Sequence, residues 1–451
     1  MLKNQTSLTS GSVPRQMLLF AIPVFCSNLF QQLYNAADSL IVGNFLGRDA
    51  LAAVSSSASL IMLMVGFFNG VGMGAGVLIA RYFGAGDNEN LHRAVHTTVA
   101  VGLLASAVLT VFGVALTPQI LRWMGTPADV LPNSVAYFRV YFFGVSAVVL
   151  YNIGASILQS VGDSRSPMKY LITASVLNVL LDLLFVGVLG FGVASAALAT
   201  VISQSLSAIL AFRKLITCRE SYRVEVRAIK LDLPMLRQVV AQGVPSGVQN
   251  SVISLANVIV QSNINAFGPN AMAGCGSYAK VEGFAFLPVG CFALALSTFV
   301  SQNIGAKKFD RVRESMKFGI GCAVVMAEAI GVVVFLLAPV LIGAFNNDPA
   351  VVDFGVRDAH TVALFYCLLA LSHCCAGILR GMGRPIVPMV IMLAVWCVFR
   401  VGYITAAVHF IPNIQVVWLA YPITWTISGV LFAVFLLRTA IPGEREALAE
   451  K

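Results

Sequence analysis

The stretch Ser175-Val-Leu-Asn178-Val-Leu-Leu-Asp182 places two polar residues at the centre of the mainly apolar segment Ser166–Gln204. Apolar runs of this kind predict helices that span a membrane. Asn178 and Asp182 are four residues apart, so they lie on the same face of such a helix. A carboxylate within the hydrocarbon layer costs about 3 kcal/mol or more unless it is protonated, paired or hydrated. We therefore predict that Asp182 belongs to a functional site, with simple hydrogen bonding between helices as the alternative.

The composition of the whole chain agrees with this class of protein. Hydrophobic residues make up 58% of the 451 positions and charged residues only 11%, whereas soluble proteins carry about 25% charged residues. The net charge of +9 does not indicate nucleic-acid binding, because the basic residues are spread over short segments between apolar runs. The nine cysteines show no paired CxxC spacing, so we expect free thiols, no metal bound by cysteine and no organic cofactor.

Glycine, proline and charged residues divide the chain into twelve apolar spans, which predict an all-α polytopic membrane protein. The predicted limits are 17–45, 51–80, 94–117, 135–160, 167–189, 193–213, 237–266, 275–303, 316–343, 358–382, 386–410 and 416–438. If both termini are cytoplasmic, most of the 29 Lys and Arg residues fall on the cytoplasmic side, from Lys3 to the tail. This asymmetry is the usual one for membrane insertion.

The two halves of the chain resemble each other in sequence. Residues 151–168 and 372–389, which are 221 positions apart, share six identities in eighteen positions, and Pro23 matches Pro245. The only long hydrophilic segment, between Arg213 and Arg237, separates the halves. Six spans per repeat give both halves the same orientation, related by a pseudo-twofold axis along the membrane normal. We predict an N-terminal six-helix bundle at 1–213, a cytoplasmic linker at 214–236 and a C-terminal bundle with a short tail at 237–451.

Two of the predicted spans carry polar side chains at helical spacing. These side chains are Asn28, Gln31, Asn35 and Asp38 in the first span, with Tyr34 one turn before the acid, and Asn250, Ser254, Asn257, Gln261 and Asn265 in the seventh. Polar side chains within lipid must face protein or water, so the two stripes predict opposite walls of one cavity. Asp38 and Asp182 both fall in the outer half of the N-terminal bundle, and no acid occupies the matching positions of the second half.

Other polar and glycine-rich features are open to more than one interpretation. The run of glycines from Gly66 to Gly76 favours close helix packing over a nucleotide loop, because it lies within a span and lacks a Lys-Ser/Thr ending. Charged residues of the second half form either pairs between helices or contacts with substrate; they are Lys280, Glu282, Glu328 and Arg400.

Together these features resemble the MATE (multidrug and toxic compound extrusion) family over essentially the whole chain. The most specific matches are Pro23, Gln32-Leu-Tyr34-Asn35-Ala-Ala-Asp38, Asn178-Val-Leu-Leu-Asp182 and Thr200. The resemblance implies that Asp38, Asn178, Asp182 and Thr200 bind the coupling ion, and that Tyr34, Asn35, Tyr137 and Asn152 belong to the surrounding network. It also implies a helix that changes its packing around Pro23, and an ion site confined to the N-terminal bundle.

We therefore predict a cation-coupled multidrug efflux antiporter that works by alternating access in a bacterial cytoplasmic membrane. The expected cargo is organic, often cationic, drugs and toxins, and the protein is expected to be a monomer in the lipid bilayer. Candidates for the substrate cavity are Gln31, Asn257, Gln261, Lys280, Glu282 and Arg400. The apolar neighbours of Asp182 favour the neutral acid, and hence H⁺, although the same four ion-site side chains could coordinate Na⁺. A lipid-linked oligosaccharide flippase and, less favoured, a membrane-embedded enzyme are the alternatives.

Overall fold

The computed structural model describes residues 8–123 and 126–444, so Lys3 and the end of the predicted tail lie outside the described residues. Within these ranges the regular elements are all helices. The α-helices are α1 (Val13–Leu46), α2 (Arg48–Ala85), α3 (Asn88–Trp123), α4 (Leu131–Phe143), α5 (Val145–Ser160), α6 (Arg165–Asp182), α7 (Ala194–Thr217), α8 (Leu233–Asn265), α9 (Pro269–Ala285), α10 (Leu287–Gly305), α11 (Phe309–Gly343), α12 (Pro349–Val362), α13 (Tyr366–Gly381), α14 (Ile386–Met392), α15 (Arg400–Phe410) and α16 (Gln415–Arg438).

The described helices account for the twelve predicted spans. Nine helical stretches are long and apolar enough to cross a membrane, or ten if α4 and α5, bent by 45°, count as one span. The two other long helices, α2 and α8, have 38 and 33 residues and correspond to the predicted second and seventh spans. At about 1.5 Å per residue both exceed the ~30 Å hydrocarbon layer. The predicted all-α membrane fold is confirmed.

The helices also repeat with the predicted spacing of 221 residues. α6 and α14 begin at Arg165 and Ile386, and α7 and α16 begin at Ala194 and Gln415. Small residues line the same helix contact in each half, between α2 and α5 and between α10 and α13. The matched positions are Gly72 with Ser156 and Gly76 with Ser160 in the first half, and Ala293 with Gly377 and Ser297 with Gly381 in the second. The contact geometry therefore supports the internal repeat.

The chain forms two compact units that share two helices. Among the described residues, unit 1 holds 26–123 and 126–247, and unit 2 holds 8–25 and 248–444. In α1 the chain passes from unit 2 to unit 1 after Phe25, which is two residues beyond Pro23. In α8 it passes from unit 1 to unit 2 after Gly247, which is two residues beyond Pro245. Proline removes one backbone hydrogen bond and weakens the helix at that point. The predicted limits at 213 and 237 leave α1 whole and cut only the first turn from α8, whereas the compact units divide both helices.

The start of α1 is bound to unit 2 by backbone carbonyl groups. Arg311 donates hydrogen bonds to the Leu8 oxygen at 3.0 Å and the Gly11 oxygen at 2.6 Å. Lys308 Nζ donates to the Thr9 oxygen at 2.8 Å, and Asn303 Nδ2 donates to the Leu8 oxygen at 3.2 Å. These three side chains come from the end of α10 and the start of α11. They fix the segment that precedes α1 against unit 2.

The glycine run of α2 packs against the first part of α8, within unit 1. A Cβ atom at Gly70 would lie 2.5 Å from the Gly247 backbone, and one at Gly74 would lie 2.4 Å from the Gln242 backbone. Only glycine permits so close an approach of the two backbones. The prediction of helix packing for this run is confirmed.

The hydrophilic segment after α7 folds back on unit 1. Arg93 at the start of α3 makes two hydrogen bonds of 3.0 Å with the carboxylate of Asp232. The Arg93 guanidinium, together with the backbone amide of Met235, holds the pKa of Asp232 below its ordinary value. Tyr222 and Val224 are buried. The connection between α7 and α8 is therefore an ordered segment, 218–232, that packs on unit 1. The two ends of the predicted linker 214–236 belong to these helices.

Candidate functional site

Three helices of unit 1 bring the predicted ion-site residues together. Asp38 comes from α1, Asn178 and Asp182 from α6, and Thr200 from α7. The side chains are withdrawn from the surface: Asp182 is 0% exposed, Asn178 1% and Asp38 8%. The carboxylates of Asp38 and Asp182 are close enough for their charges to act on each other. The structure thus places two acids in one buried region.

Hydrogen bonds fix the neutral groups around these acids. Asn178 Nδ2 donates to Thr200 Oγ1 at 3.4 Å, and Thr200 Oγ1 donates to the Ala196 carbonyl oxygen at 3.2 Å. The hydroxyl group of Thr200 therefore donates its hydrogen to the backbone of its own helix. The amide nitrogen of Asn178 likewise donates a hydrogen bond, to Thr200.

Four buried oxygen atoms of this region have no hydrogen-bond partner among the described residues. They are Asp38 Oδ1, Asn178 Oδ1 and both carboxylate oxygens of Asp182. A buried oxygen without a partner costs about 1–3 kcal/mol, and a charged one costs more. All four are acceptors. The arrangement therefore suits a species that supplies positive charge or hydrogen-bond donors, such as a proton or an alkali cation.

The local structure of the chain at Asp182 is unusual. The α-helix ends at this residue and continues as a π-helix over Leu183–Val188. Single turns of π-helix often occur at functional sites, because the wider turn redirects the side chains beside it. The following Gly190 has a positive φ of 65°, which ends the span. Asp182 thus lies at a break in the regular hydrogen-bond pattern of its helix.

Tyrosine and glutamine side chains surround the acids. Gln204 Nε2 donates to the Tyr34 hydroxyl at 3.2 Å, and Gln31 also hydrogen-bonds to Tyr34. Tyr137 is buried within electrostatic reach of both Asp38 and Asp182. Tyr34 and Tyr137 thus lie near the two acids, and their part in ion binding stays a prediction.

Sequence reasoning missed two members of this network. Gln204 lies one helical turn after Thr200, and Tyr141, which interacts with Tyr34, lies one turn after Tyr137. The spacing of four residues along one helix face was the signal that could have found both.

Two other predicted members have different surroundings in the structure. Asn35 is exposed, and its carbonyl oxygen accepts a hydrogen bond from Ser39 Oγ at 3.0 Å. Asn152 lines a mainly apolar cavity together with Tyr141, Phe68 and other residues of unit 1. Their assignment to the ion-site network stays a prediction.

The residues predicted for a substrate cavity lie in varied surroundings. Asn257 is exposed, and Gln261 Nε2 donates to Asn265 Oδ1 at 2.9 Å. Lys280 is exposed, with its Nζ 5.4 Å from the centre of the Phe345 ring.

The remaining charged residues of the second half make contacts between helices. Arg400 is only 2% exposed, and its guanidinium packs on Tyr421 and donates to Thr424 Oγ1 at 2.7 and 3.1 Å. The carboxylate of Glu282, which lies two residues after Lys280, interacts electrostatically with the guanidinium of Arg400. Glu328 accepts a hydrogen bond from the Cys367 backbone at 3.4 Å. In the described ranges no three His, Cys, Asp or Glu side chains form a metal-binding group.

Comparisons with known proteins agree with this architecture. The chain is 31% identical over 430 residues to "Probable multidrug resistance protein YoeA" of Bacillus subtilis, covering 93% of this chain and 92% of that protein. It is 23% identical over 437 residues to an "FAD transporter" of Shewanella oneidensis, covering 95% of each. The solved structure of a MOP superfamily transporter from Pyrococcus furiosus has the same fold, with a TM-score of 0.92, 23% identity and 99% coverage of both chains.

The MatE family model matches this chain twice, over residues 23–184 and 245–404. Each match begins at one of the two prolines that precede a change of unit. The two matches together cover more than half of the chain. The chain therefore belongs to the MatE family, whose members are membrane transporters and not enzymes.

Proposed function

We propose that this chain is a cation-coupled multidrug efflux antiporter, with Asp38 and Asp182 as the groups that bind the coupling ion. The observation that carries the proposal is the buried acid pair, which has three oxygen acceptors without a hydrogen-bond partner among the described residues, beside a fourth on Asn178. The name of the relative that is 31% identical supports drug export as the activity. The cargo would be organic compounds, often cationic, because an acidic site favours positive charge in any group that competes for it.

In the proposed mechanism, the coupling ion and the cargo occupy the acidic site in turn. A proton that enters the site neutralises a carboxylate and supplies the one hydrogen-bond donor that the buried oxygens lack. The oxygen of Asn178 is placed one turn from Asp182 to accept such a bond. Loss of the proton restores a buried charge, which favours a different helix arrangement or a cationic cargo. We propose H⁺ as the dominant ion, with Na⁺ able to compete for the ionised site.

The choice of ion can be tested in proteoliposomes that contain the purified full-length protein. We expect a pH gradient alone to drive transport of a fluorescent organic cation. A Na⁺ gradient alone should not drive it when an ionophore collapses the pH gradient and the membrane potential is zero. Liposomes with Asp182→Asn protein serve as the control for leak. Transport that persists under the Na⁺ gradient would show that Na⁺ is the coupling ion.

We also propose that the protein is a monomer in the cytoplasmic membrane, with both termini on the inside. A membrane-impermeant maleimide applied to intact cells tests this orientation. Arg227→Cys, in the connection after α7, should react only after permeabilisation. Asn270→Cys, exposed at the start of α9, should react at once. The wild type, whose nine cysteines are free thiols, gives the background, and labelling of Arg227→Cys in intact cells would reverse the orientation.

Cargo that carries a pyrophosphate is the second candidate, since one relative is named a FAD transporter. Such cargo, like the lipid-linked substrate of a flippase, needs a basic pocket. Arg400 is buried beside Glu282, and Lys280 is exposed beside Phe345. The two cations therefore do not share one surface, and organic cations remain the preferred cargo.

A further inference from the structure

A buried histidine on α3 holds the connection between α7 and α8, residues 218–232, against that helix. His96 is only 2% exposed, and the proposed transport mechanism does not use it. Its Nε2 atom accepts a hydrogen bond of 2.9 Å from the backbone amide of Glu225, and its Nδ1 atom lies 2.7 Å from the carbonyl oxygen of His92. The first of these bonds joins two segments that are 129 positions apart in the chain.

The two partners of the His96 ring determine its protonation state. The backbone amide of Glu225 has a hydrogen to donate, so Nε2 must carry a lone pair. The carbonyl oxygen of His92 can only accept, so Nδ1 must carry the hydrogen. This arrangement requires the neutral imidazole, whereas a protonated ring carries a hydrogen on both nitrogens. Protonation would therefore set two N–H groups against each other between His96 and Glu225.

Other contacts of the connection keep the same charge between about pH 5 and 8. The backbone amide of Val224 donates to the Leu215 carbonyl oxygen at 2.9 Å. The hydrogen bonds from Arg93 hold the pKa of Asp232 below its ordinary value, so this ion pair persists over the whole range. The imidazole of His96, by contrast, belongs to the side-chain type that titrates within it.

Two ionisable groups act directly on the His96 ring. The ring of His92 lies 3.9 Å away, centre to centre, and a charge there opposes a second charge on His96. The exposed carboxylate of Glu225 attracts positive charge, but it does not remove the clash between its own amide and a protonated Nε2. Other ionisable groups of the neighbouring elements keep one charge state in this range; among them are Arg81 and Tyr82 on α2, Arg93 on α3, Tyr151 on α5 and Asp232 in the connection.

We propose that His96 is a pH-sensitive switch, which holds the connection 218–232 against α3 when it is neutral and releases the residues around Glu225 when it is protonated. The switch does not depend on the Asp38–Asp182 site. Only the compartment that it senses rests on the proposed orientation of the protein, in which the connection lies on the cytoplasmic side. Acidification of the cytoplasm would then free the segment that joins α7 to α8.

The direction of the pH effect follows from the two states of the connection. The bound state requires the neutral ring, whereas an imidazole in contact with water takes up a proton near pH 6.5. The stabilisation from this contact is therefore complete above about pH 7.5 and falls about tenfold for each pH unit below about 6.5.

Hydrogen–deuterium exchange of the purified full-length protein in detergent tests the switch. Dividing the measured rate by the rate of an unstructured peptide at the same pH gives a protection factor, which reports local opening. In the wild type we expect the protection of a peptide that spans 222–228 to fall about 30-fold between pH 8 and pH 5.

Three variants separate the switch from general effects of acid. His96→Gln cannot titrate but keeps an oxygen that can accept from the Glu225 amide, so its protection should not depend on pH. His96→Ala lacks the bond and should show low protection at both pH values. His92→Gln is the matched control: it removes the neighbouring imidazole but not the carbonyl oxygen that His96 binds, so the loss of protection at pH 5 should remain.

The proposal would be overturned by equal losses of protection in the wild type and His96→Gln, or by a wild type that keeps its protection at pH 5. If His96→Gln does not fold, His96→Ala decides, and protection equal to that of the wild type at pH 8 would contradict the proposal. A reversed orientation would appear separately, as labelling of Arg227→Cys in intact cells, and failure of the proposed transport function would appear as wild-type transport by Asp182→Asn.

Discussion

Asp182→Asn is expected to reduce coupled efflux to the level of cells that lack the transporter, with little change in the amount of folded protein. The amide has nearly the shape of the carboxyl group, but it can neither gain nor lose a proton in the physiological range. Burial of an amide in place of an acid also removes the electrostatic interaction with Asp38. Efflux of a fluorescent organic cation from energised cells measures the effect, and the membrane-bound protein level gives the normalisation.

The neighbours of Asp182 provide graded controls. Asn178→Ala and Thr200→Ala each remove one neutral hydrogen-bonding group, which contributes about 1 kcal/mol, or roughly five-fold in ion affinity. Ser175→Ala, on the same helix, removes only a bond to the Leu171 backbone and should export normally. If Asp182→Asn exports drugs at the wild-type rate, the acid only holds helices together and the proposed ion site is wrong.

Gly74→Ala is expected to cause a large loss of stability for a change of a single methyl group in α2. The new Cβ would lie 2.4 Å from backbone atoms at Gln242 and Gly243, and backbone cannot move aside as a side chain does. Overpacking costs about 1–3 kcal/mol, occasionally more, so we expect a lower melting temperature and a lower yield of monodisperse protein. Thermal unfolding of the detergent-solubilised protein, followed by gel filtration, measures both.

Gly72→Ala is the matched control for this prediction. It lies in the same glycine run, but its Cβ would be 3.8 Å from Ser156 Cβ, an ordinary contact. Both changes gain the same helix propensity of up to about 1 kcal/mol, so the difference between them isolates the close contact with α8. Equal melting temperatures for the two variants would show that the helices are not packed as closely as described.

The sequence was sufficient to predict the features that depend on local spacing. The interval of four between Asn178 and Asp182 determines that both lie on one face of α6, and the interval of 221 relates the two halves. The lengths of the hydrophobic runs were sufficient to predict the membrane spans. None of these features depends on which helices become neighbours.

Contacts between distant helices could not be predicted in the same way. The bond from Gln204 to Tyr34 joins residues 170 positions apart, and nothing local at either residue indicates the other.

The division of α1 between the two units has a consequence for the synthesis of the protein on the ribosome. Unit 2 needs residues 8–25, yet the rest of its chain begins at Val248. At about 5–20 residues per second, the first half of α1 waits roughly 10–45 s after its own synthesis before the remainder of unit 2 begins to be made. Its three partners in that unit, Asn303, Lys308 and Arg311, are made later still. A nascent chain stalled before residue 248 should therefore leave the start of α1 open to proteases or chaperones, although the helices of unit 1 have already been made.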